Sequence, residues 1–133
     1  MSKPRAKMIN HFPGCPVETT LGFIDGKWKG VILYHLLIAG SSLRFSELRR
    51  RLPAVTQRML TKQLRELEEQ GLVTRTVFPV VPPRVDYGLT PLGHSMRPVI
   101  QALEQWGSRH VVCEKGTQRV IHPDDVEQAA SAA

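Results

Sequence analysis

The chain has 133 residues, a net charge of +6, an isoelectric point near 9.8 and 41% hydrophobic residues. That is the size and composition of one globular domain, and two cysteines, Cys15 and Cys113, are too few for a disulfide scaffold. The longest apolar run, Val31 to Ala39, is interrupted by His35 and falls short of the roughly 18 residues of a membrane span. No apolar segment follows Met1-Ser2-Lys3-Pro4-Arg5 to make a signal peptide. A cytoplasmic chain is expected.

Residues 1–14 contain Pro4, Pro13 and Gly14 without periodicity and read as a flexible arm. Cys15-Pro16 marks a helix start, because proline suits the first helical position. Val17, Leu21 and Ile24 follow at helical spacing, and Asp25-Gly26 closes the helix. A second helix is predicted over Lys27–Ala39, apolar around most of its circumference and therefore central to the core. Gly30 lies inside it at a cost in helix propensity, as expected where another backbone passes close.

Leu43-Arg44-Phe45 reads as a short extended stretch, with Ser46 as the cap of a short helix through Leu52. Pro53-Ala54-Val55 is the turn. Thr56 is a good N-cap for a helix running to about Gln70, and Gly71 stops it. Leu60, Leu64 and Leu67 give that helix one apolar face. Leu72–Phe78 and Arg84–Leu89 then read as the two strands of a hairpin with a proline-rich tip. Thr90-Pro91 starts a last long helix, kinked by Pro98 and ended by Gly107, with a polar, fraying tail over 108–133.

The fold class that follows is mainly α with a small β-hairpin, an α+β winged helix-turn-helix. The expected organisation is an arm over 1–14, the winged domain with added N- and C-terminal helices over 15–107, and the tail.

Between Arg44 and Arg84 lie nine basic and four acidic residues, whereas the part after Arg84 has four basic and six acidic. A phosphate backbone could use that central positive field. On the helix from Thr56, the face opposite the leucines carries Gln57, Arg58, Thr61, Lys62 and Arg65. These residue types reach base edges and phosphates in a major groove. Free N–H groups at the helix start add to the attraction for phosphate. Arg84 and Arg75 on the wing, and Arg49 among Arg49, Arg50 and Arg51, are further backbone-contact candidates. A basic helix face is also what a merely solvated helix presents. Here Glu66, Glu68 and Glu69 sit at the other end, which favours the DNA reading.

The sequence resembles the HxlR-type regulators, a branch of the winged-helix regulators related to the MarR group. The resemblance rests on Cys15-Pro16-Val17-Glu18, Gly26-Lys27-Trp28, Arg44-Phe45-Ser46-Glu47-Leu48, Met59-Leu60-Thr61 with Leu64-Arg65-Glu66-Leu67-Glu68, Gly71-Leu72-Val73, Val81-Pro82-Pro83-Arg84-Val85 with Tyr87, and Leu89-Thr90-Pro91-Leu92-Gly93. Asp25 and Gly88 depart from the family pattern. The resemblance implies a homodimer, built mainly by the first and last helices, on a roughly palindromic operator. Val17, Leu21, Val99, Leu103 and Trp106 are the candidate dimer residues; the other reading is that those on the last helix cover the chain's own core.

The resemblance also implies a candidate sensor of oxidants or electrophiles at Cys15, where a helix start lowers a thiol pKa. The competing reading is a structural cysteine, and a small-molecule or oxidant inducer stays open with it. His11 with Cys15, and His110 with Cys113, lack the further ligands of a zinc site, and His35 reads as a satisfied core residue. No metal, cofactor or catalytic constellation is expected, so an enzyme is disfavoured. The alternative function is a winged-helix module that binds protein without DNA.

Overall fold

The computed structural model describes residues 15–114 and 117–120. The chain forms two compact units that divide between Ser95 and Met96.

In the first unit, α1 spans Pro16–Phe23, α2 Trp28–Ala39, β1 Leu43–Arg44, α3 Phe45–Arg51, α4 Gln57–Glu69, β2 Val73–Phe78, β3 Arg84–Leu89 and α5 Pro91–Ser95. α2 is the central helix: Ile32, Leu33, Leu36 and Leu37 are all buried. They share the core with Leu43, Leu48, Leu52, Val55, Leu60, Leu64, Leu67, Leu72, Val73 and Tyr87. The strands form an antiparallel sheet in the order β1-β3-β2, with Val73 opposite Leu89 and Phe78 opposite Arg84. β3 is the middle strand, and Leu43 of β1 pairs with its Tyr87.

Two corners hold β2 and β3 in place. Gly71 adopts φ 81°, a left-handed conformation that ends α4 and turns the chain into β2. Thr90, at the end of β3, donates its backbone N–H to Leu72 O at 3.1 Å and its hydroxyl to Gly71 O at 2.6 Å. The same hydroxyl accepts the N–H of Gly93 at 3.0 Å, so Thr90 caps α5 while clamping the two corners together. Gly93 packs so closely on Leu72 O that a Cβ there would collide with it.

Several expectations are corrected. Ser46 does not cap α3. The helix begins two residues earlier than that cap implies, at Phe45 with Arg44 as its cap, and Glu47 Oε1 accepts the N–H of Arg44 at 3.0 Å. Among the described residues nothing approaches Gly30 within 4 Å of where a Cβ would stand, so none of their backbone passes there. At Gly88 a Cβ would lie 2.7 Å from Ser42 Oγ, so a side chain there would turn the Ser42 hydroxyl aside.

The last helix is not one kinked rod. α5 stops at Ser95 and α6 runs Arg97–His110. Pro98 has no N–H to give the carbonyl of His94, so the chain restarts with Pro98 in the first turn of α6.

In the second unit, α6 passes Gly107 and ends at His110. The ring of His110 stacks on Trp106 at 4.8 Å and its Nδ1 lies 3.1 Å from Trp106 O. Ser108 Oγ donates to Glu104 Oε2 at 3.0 Å, and Arg109 and His110 complement the helix dipole. Residues 111–114 and 117–120 are not a fraying tail; they pair as an antiparallel hairpin, β4 (Val111–Glu114) and β5 (Thr117–Val120). The predicted arm over 1–14 and the end of the predicted tail lie outside the described residues. No described helix is long and apolar enough to cross a membrane.

Candidate nucleic-acid interface

α3, its turn and α4 form the helix-turn-helix. The turn is tied by Leu52 N–H to Leu48 O at 3.0 Å and Val55 N–H to Leu52 O at 3.1 Å, and it is anchored by the buried Val55. Thr56 caps α4 as expected, its Oγ1 accepting the N–H of Met59 at 3.1 Å. Leu60, Leu64 and Leu67 have no exposed surface. With that face committed to the core, helical geometry turns Gln57, Arg58, Lys62 and Arg65 outward, and all four are exposed.

These four line one concave surface of about 840 Å³ together with Thr61, Glu66 and Glu69. Thr61 is half-buried and spends its hydroxyl on Gln57 O at 2.9 Å. Arg49 of α3 donates to Gln57 Oε1 at 3.2 Å, which joins the two helices at the same surface.

The wing is β2 and β3 with the loop between them. Arg75 on β2 is exposed. Arg84 is more constrained than its place in the sequence suggests. Its Nε and one terminal nitrogen donate to the two Asp86 oxygens at 3.0 and 2.9 Å, and its guanidinium lies 4.7 Å over the Phe78 ring. Each partner favours the charged form of the other: Asp86 holds the Arg84 pKa above its ordinary value, and Arg84 holds Asp86 below the usual carboxylate range. A second groove, about 720 Å³, runs between the helix-turn-helix and the wing, with Arg44, Gln57, Thr61, Arg75 and Arg84 among its lining residues. The two candidate contact elements therefore share a groove.

One contact at this surface escapes sequence reasoning. Lys29, in the first turn of α2, is buried with an 8% exposed side chain, and its Nζ lies 2.7 Å from Glu66 Oε1 on α4. The Glu66 side chain is 34% exposed. The hydrogen bond from Lys29 holds the Glu66 carboxyl below its ordinary range. A lone lysine in the first turn of an apolar helix gives no clue that it reaches a carboxylate 37 positions on.

Cys15 is the N-terminal cap residue of α1 and is exposed. Backbone N–H groups, first that of Glu18 and then that of Val17, lower its thiol pKa. The predicted dimer residues Val17 and Leu21 on α1 are exposed, as are Leu103 and Trp106 on α6, while Val99 is half-buried. His35 does not fit the expectation of a satisfied core histidine. It is half-buried, its Nδ1 has no hydrogen-bond partner among the described residues, and burial followed by the charge of Arg51 lowers its pKa.

A family profile described as HxlR-like helix-turn-helix matches residues 23–115. The chain belongs to the HxlR-like helix-turn-helix family. It is 52% identical over 99 residues to YdeP of Bacillus subtilis, named as an uncharacterized HTH-type transcriptional regulator, covering 74% of this chain and 76% of that one. YybR of the same organism, named likewise, is 51% identical over 94 residues, covering 71% and 74%. Among solved structures, the oxidized form of the redox regulator HypR superposes with a TM-score of 0.65 at 50% identity, covering 71% of this chain and 95% of that one. The reduced form of the transcriptional regulator YodB from B. subtilis superposes at 0.61 with 32% identity, covering 78% and 99%. The HxlR-like chain is thus a transcription regulator built on an α+β winged helix-turn-helix.

Proposed function

We propose that this HxlR-like chain is a sequence-specific, cytoplasmic regulator that acts as a homodimer on a palindromic operator. α4 enters the major groove and the β2–β3 wing meets the neighbouring backbone or minor groove. The observation that carries this reading is the exposed row of Arg58, Lys62 and Arg65 on a helix whose opposite face is fully buried. Gln57 and Thr61 are the candidate base readers, Gln57 through its free amide N–H groups and Thr61 through the lone pairs of a hydroxyl whose proton goes to Gln57 O, and Thr56, Arg49 and Arg84 position the backbone. The chain's own chemistry is recognition; no catalytic step is assigned to it.

The exposed apolar residues Val17, Leu21, Leu103 and Trp106, with Val99, support a two-fold interface made by α1 and α6. Such a dimer places its two α4 helices about 34–36 Å apart, one turn of DNA.

Cys15 supports a second layer of function, a response to oxidants or electrophiles. Its exposure and lowered thiol pKa favour reaction as thiolate, and the similar HypR is a redox regulator. The inducer would act by modifying Cys15, with no cofactor required.

In vitro selection from random duplexes with the purified chain, followed by footprinting, tests the proposal. The expected result is one enriched site with two-fold symmetry and half-sites about 10–10.5 base pairs apart. No enrichment, or binding that ignores salt, would leave a protein partner as the better reading. Sedimentation at micromolar concentration tests the dimer, and a strict monomer would overturn it. For Cys15, operator binding that responds identically to diamide in the wild type and in Cys15→Ser would remove the sensing role.

A further inference from the structure

We propose that Lys29, although it lies on a core helix away from the contact surface, is a positioning residue for DNA recognition: it holds the Glu66 carboxylate and so leaves Lys62 and Arg65 free for phosphate. The inference rests on the reading of α4 as the DNA-contacting helix.

Glu66 stands one turn after Lys62 and next to Arg65, and it lines the same concave surface. A lysine and a glutamate four residues apart on a helix attract each other. Lys62 and Arg65 both act on Glu66 electrostatically, yet neither is bonded to it. Lys29 has taken the carboxylate instead, at 2.7 Å and from the core side. The pair is neutral as a whole, so the surface presented to DNA keeps its three cations and is relieved of its nearest acid. Lys29, being buried, contributes no phosphate contact of its own.

Removing only the Lys29 charge would release Glu66 toward Lys62 and expose a carboxylate beside the phosphates. The effect resembles withdrawing one cation from the phosphates in each subunit, each worth roughly eightfold in affinity at 0.1 M salt relative to 1 M. Lys29→Met keeps the length and apolar stem and deletes the charge.

The test measures binding of a labelled duplex, carrying the site selected by the wild-type protein, across a salt series. The proteins are wild type, Lys29→Met, Glu66→Gln and the double variant, with circular dichroism as the check on folding. Lys29→Met is expected to bind roughly sixtyfold more weakly at about 0.1 M salt, about eightfold for each of the two subunits, with a shallower salt slope. Glu66→Gln should bind at least as tightly as wild type, and the double variant should recover to within about twofold. A merely structural lysine gives a different pattern, because deleting Glu66 would not restore binding to Lys29→Met. Failure of the double variant to recover, or unchanged binding in Lys29→Met, overturns the inference while the DNA reading stands. Should Lys29→Met not fold, Glu66→Gln decides alone, and weaker binding than wild type counts against the inference. A wild-type protein that binds no duplex at any salt would sink the parent reading itself.

Discussion

Gly93→Ala should destabilise the protein even though it places a better helix former inside α5. In an open helix, alanine gains about 1 kcal/mol over glycine. At Gly93 the added Cβ collides with the backbone oxygen of Leu72 and stands 3.0 Å from Leu89 Cδ2. A side chain could swing aside, but the Leu72 carbonyl cannot, because it accepts the N–H of Thr90 at 3.1 Å. Overpacking of this kind costs about 1–3 kcal/mol, and a displaced hydrogen bond adds about 1 kcal/mol. The net expectation is a loss of about 1–3 kcal/mol after subtracting the propensity gain. In a domain of this size that lowers the melting temperature by roughly 5 °C per kcal/mol. The assay is thermal denaturation at one fixed protein concentration, since subunit pairing makes melting concentration-dependent. Gly30→Ala is the matched control: its Cβ meets nothing within 4 Å among the described residues, so it should raise stability by roughly 0.5–1 kcal/mol. A Gly93→Ala protein that melts at or above the wild-type temperature would refute the clamp between the α4–β2 and β3–α5 corners.

Lys62→Ala should leave folding intact and lower the slope of log affinity against log salt by about 0.9 for each phosphate that Lys62 neutralises; an unchanged slope would show that Lys62 does not meet phosphate. His35 is held below its ordinary pKa of about 6.5 in the fold, so the unfolded chain takes up its proton first as pH falls. Its contribution to stability is complete above about pH 6.5 and is lost as pH drops toward the folded value. Urea denaturation of His35→Leu should therefore show a shallower loss of stability between neutral pH and that lower range than wild type does; parallel curves would remove His35 from the account. Alkylation of Cys15 in a Cys113→Ser background should titrate below the ordinary thiol value of 9.0, because backbone N–H groups at the start of α1 favour the thiolate. A midpoint at or above that value would mean the helix start does not activate it.

The legible features are those written in local chemistry. The cap at Thr56, the leucine spacing of α4, the glycine stop at Gly71 and the two strands of the wing all lie within a few residues of the groups that cause them. The outward row of Arg58, Lys62 and Arg65 was readable for the same reason, since a helix with one buried face has only one other to offer. The break at Met96 was misplaced because Pro98 has two solutions, a kink within one helix or a fresh start in a second one. The run of α6 past Gly107 depends on Trp106, Ser108 and His110 acting together, which outweighs the glycine.

By itself, then, the order of residues determined the helix-turn-helix, its wing and the charged face of α4, because periodicity and capping act over one or two turns. Only the tertiary structure decided that Lys29 meets Glu66, that Arg84 is held by Asp86 over Phe78, and that Gly93 has no room for a side chain. Most of these pairings join groups on different elements, and even Arg84 and Asp86, two residues apart, need β3 and Phe78 of β2 to set their geometry. Their separations are fixed by how helices and strands pack, and no local pattern encodes that distance.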